Sequence, residues 1–296
     1  MREDIVKDIK RVAVIKKMPD DTSYRSISIE QTATLANIFK VSDLNIEISA
    51  LEEDIVPERY VRNMRTYTTQ DQATLLKSMV SVVGLGGLGG TATEILARSG
   101  IGTLNLIDGD TFEESNLNRQ FFCTQDLLFK SKAEAAKKRV NEINSSIVVQ
   151  QHSEFLQENN AVGILENSDI AIDCLDNLNS RFLLESATKK AGIPLVSAAV
   201  AGVSGHVTSI FHDDQGLKLI YGEPDSVPHK GAETSLGCLP QAVTVIAALE
   251  TSEVIKILLN RGAVLRNRLL IVDLTDHTME VLDLLPEPSM KIDENL

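Results

Sequence analysis

Short apolar runs alternate with amphipathic stretches through the middle of the chain, and this alternation predicts strand–helix–strand units. Apolar strands are expected at 80–83, 104–107 and 147–150, and a helical run to Ser99 follows the first of them. A further run at 169–174, DIAIDC, is nearly all apolar between its acids, which is typical of a strand buried on both faces of a parallel sheet. The pattern therefore predicts an α/β fold.

The pattern changes after residue 195, where strands begin to follow one another directly. The run LVSAAV at 195–200 is followed by a second strand at 206–211, which we expect to be antiparallel to it. A long helix is expected at 240–260, and a closing hairpin at 267–273 and 278–284. We therefore expect a Rossmann-like, mostly parallel sheet that is flanked by helices and continues into antiparallel strands.

The first 56 residues do not fit this alternation and are expected to form a small, mainly helical N-terminal appendage. A short strand is predicted at 12–15, and two short helices are predicted at 29–39 and 42–53. The segment is acidic overall and offers no recognition helix rich in arginine and lysine, so packing or docking of a partner is favoured over DNA binding. The predicted organisation is an appendage at 1–56, one domain at 57–285 and a polar tail at 286–296.

The composition argues against nucleic-acid-binding, membrane-spanning and disulfide-rich classes of protein. The chain has 296 residues and a net charge of −13, which argues against nucleic acid as its main partner. No stretch has the pattern of a signal peptide or the length of an apolar membrane span. The three cysteines, Cys123, Cys174 and Cys238, are too few for a disulfide framework. We expect a cytoplasmic protein that does not engage a membrane.

A glycine-rich turn follows the first apolar strand and predicts a nucleotide site. The glycines are spaced Gly84-x-Gly86-x-x-Gly89, with Gly87 among them, and a helix follows at once. Glycines let the backbone approach a phosphate, and the helix N-terminus presents unpaired N–H groups and a partial positive charge. Asp108 ends the next strand, where a carboxylate can accept hydrogen bonds from ribose hydroxyls. These features alone do not indicate whether the site binds NAD, FAD or ATP.

The polar segment after Asp108 favours ATP. It runs from Asp110 into SNLNRQ at 115–120. A dinucleotide dehydrogenase has no evident need for such a loop, whereas a site that handles a triphosphate does. Lys132 opens the next predicted helix, where a cation is unfavourable because the helix N-terminus prefers anions. A bound phosphate would remove that conflict.

Five ordered motifs then identify a family resemblance. They are GLGGLGG at 84–90, DGD at 108–110, SNLNRQ at 115–120, Lys132 and DCLDN at 173–177. From about residue 57 to about residue 284 the chain resembles the ThiF/MoeB/HesA family, the bacterial relatives of ubiquitin-activating enzymes. The resemblance implies an ATP-dependent adenylyltransferase that activates the C-terminal glycine carboxylate of a small, ubiquitin-like (β-grasp) sulfur-carrier protein ending in Gly-Gly. The carrier would serve thiamine, molybdopterin or related sulfur transfer.

The resemblance also implies roles for individual residues. The ATP-binding set is Gly84, Gly86, Gly87, Gly89, Asp108, Asp110, Asn116, Arg119 and Lys132. Asp176, the second aspartate of DCLDN, would hold Mg²⁺ on the triphosphate. Arg62 would reach across a homodimer to the phosphates bound by the partner, as a cation that stabilises developing charge. The catalytic set is Arg62, Arg119, Lys132 and Asp176.

Two further features concern cysteine chemistry. Several relatives carry two Cys-x-x-Cys pairs that hold a structural zinc ion, and this chain has neither pair, so we predict no structural zinc. Cys238 has two interpretations that the sequence leaves open. It could form a covalent intermediate with the carrier, or it could be a small apolar residue packed before a helix.

Three alternatives remain at this point. The same fold could activate a carboxylate on a tRNA or on a small molecule, and a steeply salt-dependent affinity for tRNA would favour the first of these. An NAD-linked oxidoreductase would retain its activity after Arg119→Ala and Asp176→Asn. A nucleotide-binding scaffold without catalysis would have no need of the full set of polar residues.

Overall fold

The N-terminal region forms a compact unit with its own small sheet. In the computed structural model, which describes residues 2–224 and 233–285, it comprises α1 (Arg2–Val12), β1 (Val14–Lys17), β2 (Ser23–Ile27), α2 (Ile29–Phe39), α3 (Asp43–Leu51) and β3 (Ile55–Pro57). Strand β2 lies between an antiparallel β1 and a parallel β3. The two helices expected from the sequence are confirmed, and β1 overlaps the expected strand at 12–15. Helix α1, strands β2 and β3, and the pairing of the three strands are additions to that prediction.

The rest of the described chain builds one eight-stranded sheet with helices on its faces. A short 3₁₀ helix at Glu58–Asn63 leads into it. The elements that follow are α4 (Thr69–Lys77), β4 (Met79–Val83), α5 (Gly87–Ser99), β5 (Thr103–Ile107), α6 (Lys132–Ile143), β6 (Val148–His152), α7 (Ala161–Ile164), β7 (Ile170–Asp173), α8 (Leu178–Ala191), β8 (Leu195–Ala201), β9 (Ser204–Ile210), α9 (Lys218–Tyr221), α10 (Glu233–Leu236), α11 (Pro240–Leu259), β10 (Arg268–Asp273) and β11 (Thr278–Asp283).

The strand order is β11-β10-β9-β8-β7-β4-β5-β6. The five strands from β8 to β6 are mutually parallel, and β9, β10 and β11 each pair antiparallel with the neighbour before them. The expected parallel sheet that continues into antiparallel strands is therefore confirmed. From β4 the chain moves outward to β5 and β6, and it then returns to place β7 on the other side of β4. Ligands of open α/β sheets bind at such a switch point, beside the carboxyl ends of the strands.

Burial explains why the central elements form where they do. Strand β7 is buried along its whole length, as expected for an apolar strand with helices on both sides. Helix α11 packs against α5 through small and branched side chains such as Ala242, Val243 and Ala247. Gly100 ends α5 in the left-handed conformation, which a glycine adopts without the steric cost of a Cβ atom. These contacts hold the start of α5 at the edge of the sheet where β4 and β7 end.

The described residues contain no helix that is long and apolar enough to cross a membrane. The predicted polar tail at 286–296 lies outside them. The proposed boundary between the appendage and the main domain stays a prediction.

Candidate functional site

A large cavity lies at the carboxyl edge of the parallel strands, at the switch point between β4 and β7. Its volume is about 1350 Å³, and its walls come from both the parallel and the antiparallel parts of the sheet. Eight of the residues expected to bind ATP or Mg²⁺ line it: Gly84, Gly86, Gly87, Asp108, Asp110, Arg119, Lys132 and Asp176. Gly89, Asn116 and Arg62 lie elsewhere.

The glycine turn brings the N-terminus of α5 to the cavity wall. Gly84 has a φ of +89°, and a Cβ atom there would lie 2.6 Å from the carbonyl oxygen of Cys174, so the turn packs directly on the loop after β7. Gly86 precedes the 13-residue helix α5, whose first N–H groups are therefore available to an anion. A Cβ at Gly89 would lie 1.7 Å from the Gly84 carbonyl oxygen. Gly89 thus allows α5 to pack against the turn and does not itself face the cavity.

Asp108 is held at the end of β5 by two backbone N–H groups. Leu85 donates to its Oδ2 at 2.6 Å, and Asp110 donates to its Oδ1 at 2.8 Å. Burial raises the pKa of the Asp108 carboxyl, and these two hydrogen bonds oppose the shift. Each carboxylate oxygen keeps a lone pair that can accept a further hydrogen bond. The site therefore offers a fixed acceptor beside the glycine turn.

Lys132 is a buried cation with an incomplete set of partners. It begins α6, and its Nζ lies 3.2 Å from Oδ2 of Asp110. The lysine side chain is 8% exposed, whereas that of Asp110 is 53% exposed and open to water. An ammonium group has three N–H donors, and its placement at a helix N-terminus is electrostatically unfavourable. Both facts favour a second anion at this point in the cavity.

The loop before α6 supplies a second cation. The Arg119 guanidinium donates to the carbonyl of Ser115 at 3.0 Å and to Oδ1 of Asn118 at 2.8 Å, which are neutral oxygens. Asn116, expected at the phosphates, is instead buried, and its Oδ1 accepts from the backbone N–H of Glu113 at 3.1 Å. Its side chain closes the turn that presents Arg119. The expected contact of Asn116 with phosphate stays a prediction.

Gln120 is a cavity residue that the sequence analysis did not select. Its Oε1 is buried and has no hydrogen-bond partner among the described residues, and its amide nitrogen would lie 3.5 Å from a Cβ built on Gly86. A buried polar atom without a partner is costly, so this amide is suited to a ligand bound at the glycine turn. Its position directly after Arg119 in the SNLNRQ motif could have identified it as a candidate site residue.

Asp173 and Asp176 have different environments although they belong to one motif. Asp176 is exposed to the cavity, accepts from Nδ2 of Asn177 at 3.2 Å, and pairs with no cation among the described residues. Asp173 is fully buried and accepts from the Arg181 guanidinium at 2.9 Å, from the Ser197 hydroxyl at 2.6 Å and from the Leu175 N–H at 3.2 Å. The Asp173 carboxylate is therefore bound within the protein. Asp176 is the carboxylate available to a ligand.

Arg181 fixes the loop that carries Asp176. Besides Asp173 it donates to the carbonyls of Leu175 and Ala198, so both polar backbone groups of Leu175 are held, one by each partner of the ion pair. This buried pair explains why the exposed Asp176 has a defined position. Sequence reasoning missed Arg181 because an arginine on a helix is ordinarily assigned to the surface.

Glu250 lies on α11, behind the loop after β7. The Cys174 thiol donates to its Oε2 at 3.5 Å, and its Oε1 has no partner among the described residues. Burial raises the pKa of Glu250 well above its ordinary value of 4.5, and the nearby Asp173 raises it further. The environment of Glu250 therefore favours its protonated, uncharged form, and its carboxyl supports the loop through the hydrogen bond with Cys174.

Glu250→Gln should increase stability most at high pH. Because the folded-state pKa of Glu250 is raised, the native protein keeps a proton that the unfolded chain releases above about pH 4.5. The contribution of Glu250 to the free energy of unfolding therefore falls as the pH rises toward the folded-state pKa. A glutamine side chain does not titrate, so its contribution to the free energy of unfolding does not depend on pH in this way. The variant's advantage should grow by up to about 1.4 kcal/mol per pH unit. Urea unfolding at pH 5, 6.5 and 8 measures it, with Glu158→Gln as an exposed control. An advantage that does not change with pH would contradict a neutral Glu250.

Cys238 lies on the cavity wall, and its Sγ donates to the Val200 carbonyl at 3.6 Å. Its two interpretations stay open. The described residues contain no group of three or more His, Cys, Asp or Glu side chains that could hold a metal ion. The absence of structural zinc remains a prediction, because part of the region between β9 and α11, including His229, lies outside the described residues.

The chain is similar to a known protein family and to several named proteins. The model of the ThiF family matches residues 60–292. The chain is 34% identical over 240 residues to the SAMP-activating enzyme E1 of Haloferax volcanii, covering 79% of this chain and 88% of that protein. It is 33% identical over 267 residues to the adenylyltransferase and sulfurtransferase MOCS3 of Drosophila sechellia, covering 88% of this chain but 57% of that one.

A solved structure gives the same fold at lower sequence identity. Escherichia coli MccB, crystallised with ATP, superposes with a TM-score of 0.64 at 21% identity, over 89% of this chain and 81% of that one. At that identity the likeness concerns the fold. The eight-stranded sheet described above is thus an architecture that is found in other proteins.

Proposed function

Because the chain belongs to the ThiF family, we propose that it is an ATP-dependent adenylyltransferase that activates the C-terminal glycine carboxylate of a small, ubiquitin-like sulfur-carrier protein ending in Gly-Gly. The observation that carries the proposal is Lys132. It is a buried cation whose ion pair among the described residues is with the exposed Asp110. The same cavity holds the open N-terminus of α5, the exposed carboxylate of Asp176, and the Arg119 guanidinium, which among the described residues donates to neutral oxygens. That combination suits a triphosphate with its metal ion.

In the proposed reaction the carrier carboxylate attacks the α-phosphorus of ATP. An oxygen–phosphorus bond forms to the glycine, the bond from the α-phosphorus to the bridging oxygen breaks, and pyrophosphate leaves with that electron pair. The product is an acyl-adenylate. A carboxylate is already ionised, so the reaction needs no general base. The protein contributes position and charge stabilisation.

Each lining residue then has a role that its environment supports. The N-terminus of α5 binds phosphate oxygens, and Lys132 and Arg119 stabilise negative charge as it shifts toward pyrophosphate. Asp108 accepts from ribose hydroxyls, since its carboxylate is fixed beside the glycine turn. Asp110 orients Lys132 through their ion pair.

Asp176 fits the role of the Mg²⁺ ligand. Mg²⁺ is bound by one or two carboxylates together with substrate phosphates, and Asp176 offers an exposed carboxylate at the cavity that pairs with no cation among the described residues. When bound, the ion neutralises charge on the triphosphate. Arg181 and Asp173 keep the Asp176 loop in place.

Arg62 is proposed to serve the site of a second copy in a homodimer. It is exposed on the 3₁₀ helix at Glu58–Asn63 and does not line the cavity of its own chain. In the proposed dimer its guanidinium contacts the phosphates that are bound by the other protomer. The active unit is then symmetric, with two shared sites.

Mixing two inactive variants should restore activity if Arg62 acts in trans. Arg62→Ala and Lys132→Ala are each expected to be impaired alone. After their protomers exchange, an equimolar mixture should recover about a quarter of the wild-type rate, because half the dimers are mixed and each has one complete site. Exchange of subunits is verified by native mass spectrometry of differently tagged chains. Mixed dimers without restored activity would contradict the role in trans.

Mass spectrometry of the carrier tests the proposed product directly. Incubated with the enzyme, ATP and Mg²⁺, a carrier ending in Gly-Gly should gain one AMP, and a carrier shortened by its terminal glycine should gain none. Transfer of AMP to a tRNA or to a small carboxylate in place of the carrier would contradict the proposed substrate.

A further inference from the structure

Arg62 lies on a short segment whose other polar residues are bound to several elements of its own chain. The segment is the 3₁₀ helix Glu58–Asn63, and it directly follows the N-terminal unit, which runs from α1 to β3. Arg62 itself is exposed, and within the part of the chain that the structure describes its side chain makes no hydrogen bond or ion pair. The contacts of its neighbours therefore decide where its guanidinium is held.

The first residue of this helix is held by the small N-terminal sheet. Oε2 of Glu58 accepts a hydrogen bond from the Ser26 hydroxyl at 2.6 Å, and Oε1 accepts one from the Tyr24 hydroxyl at 3.3 Å. Nζ of Lys16 lies 3.2 Å from the same Oε1. Lys16 belongs to β1, and the two hydroxyls belong to β2. Hydrogen bonds to an ionised carboxylate are stronger than those between neutral groups, so Glu58 fixes the start of the helix to the sheet.

The next two residues join the helix to α3, α5 and α6. Arg59 pairs with Glu47 of α3, with 3.4 Å between Nε and Oε1, and its guanidinium donates to Oδ1 of Asn144 at the end of α6. Asn144 donates in turn to the hydroxyl of the buried Tyr60 at 2.8 Å and to the Ala97 carbonyl of α5 at 3.3 Å. Burial raises the pKa of the Glu47 carboxyl, and the Arg59 charge opposes that shift. The N-terminal unit and the helices of the large sheet thus meet at this point.

Residues that follow Arg62 are bound as well. Nδ2 of Asn63 donates to Oε1 of Gln72 on α4 at 2.9 Å. Arg65 pairs with Asp20 in the loop between β1 and β2. Contacts on both sides of Arg62 therefore restrict the backbone that carries it, while its own side chain stays exposed.

We propose that the N-terminal unit is a positioning element for the active site of the partner protomer: it holds the helix Glu58–Asn63 through Glu58 and Arg59, and so places Arg62 against the phosphates that the other copy binds. The inference rests on the proposed function and on Arg62 acting in trans. A misplacement of about 1 Å can cost about 10²-fold in rate, so a cation that stabilises developing charge needs such a support. Glu58 and Arg59 act through Arg62, since no described residue before Val83 lines the cavity.

Glu58→Ala tests the support, because it removes the contacts with β1 and β2 from a half-buried side chain. In ATP–pyrophosphate exchange with a carrier ending in Gly-Gly, the kcat should fall about tenfold. Glu58→Gln should restore most of the rate, because its amide oxygen still accepts from the Ser26 hydroxyl. Glu53→Ala is the matched control. It removes a carboxylate that pairs with Lys10 at 2.5 Å inside the N-terminal unit, and it should leave the rate unchanged.

A double variant separates positioning from a general loss of structure. In an Arg62→Ala background, Glu58→Ala should have little further effect, because the residue through which it acts is already absent. If the two losses multiply, Glu58 acts independently of Arg62 and the proposal is overturned. An Arg62→Ala enzyme with the wild-type rate would overturn it too.

Mixed dimers show which of the two sites Glu58 serves. In a dimer of one Glu58→Ala chain and one Lys132→Ala chain, the site that keeps Lys132 receives Arg62 from the chain with an intact Glu58. After exchange of protomers, an equimolar mixture should therefore recover about a quarter of the wild-type rate. An effect on the chain's own site, transmitted through Asn144 to α6, would leave only about a twentieth of the rate, and that result would overturn the proposal. Wild-type enzyme that exchanges with no carrier would instead contradict the proposed function.

Discussion

Lys132→Ala should reduce adenylation by about 10²–10³-fold, the loss typical when one preorganised group that stabilises developing charge is removed. The reason is the position of its ammonium group, which is buried at the N-terminus of α6 and pairs, among the described residues, with the exposed carboxylate of Asp110. The variant should still fold, because Asp110 remains in contact with water when its partner is removed. Steady-state pyrophosphate release measures the rate, and thermal unfolding measures the stability.

A matched control for this change lies on the same helix. Lys138 is exposed on α6, so Lys138→Ala should retain the wild-type rate. If Lys132→Ala also retains a rate within a few-fold of wild type, its ammonium does not contact the reacting phosphates. The proposed site would then need another cation.

Asp176→Asn should have an effect of similar size but with a different signature. The carboxylate is exposed and, among the described residues, its side-chain hydrogen bond is with Asn177, so folding should be unaffected. The rate should fall about 10²–10³-fold, and the Mg²⁺ concentration for half-maximal activity should rise, because the amide is a weaker ligand for the ion. Binding of ATP in the absence of Mg²⁺ should not weaken, since a negative charge near the triphosphate has been removed.

A matched control for this change is an exposed aspartate far from the proposed metal site in sequence. Asp276→Asn changes an exposed aspartate in the turn between β10 and β11 and should leave both the rate and its Mg²⁺ dependence unchanged. An Asp176→Asn variant whose Mg²⁺ dependence matches that of wild type would remove Asp176 from the metal site, whatever its rate.

The parallel sheet and the glycine turn were predictable because their signals are local. The sequence of strand β7 is a continuous apolar run, and the turn is a set of closely spaced glycines between a strand and a helix. The N-terminal sheet was not predictable in this way. Its β2 and β3 are parallel and separated by α2 and α3, so their pairing depends on contacts distant in sequence. Helix α1 was detectable in principle, because Ile5, Ile9 and Val12 recur at helical spacing on one face of a mostly charged segment, but the sequence analysis did not use this pattern.

The missed or displaced site residues have a common physical reason. Arg181 and Glu250 are ionisable residues on helices, and sequence patterns assign such residues to the surface, yet tertiary contacts bury both. Asn116 belongs to the expected motif, but a backbone N–H takes its side-chain oxygen within the turn. Of this motif, Ser115, Asn118, Arg119 and Gln120 line the cavity, and the role of Asn116 stays a prediction.

ATP–pyrophosphate exchange with purified protein and Mg²⁺ tests the central claim most directly, because exchange requires reversible formation of an adenylate and nothing later. We predict exchange that depends on a carrier protein ending in Gly-Gly and that is lost with Lys132→Ala and with Asp176→Asn. Binding of NAD in place of ATP, or exchange supported by a tRNA or by a small carboxylate but by no carrier protein, would contradict the account.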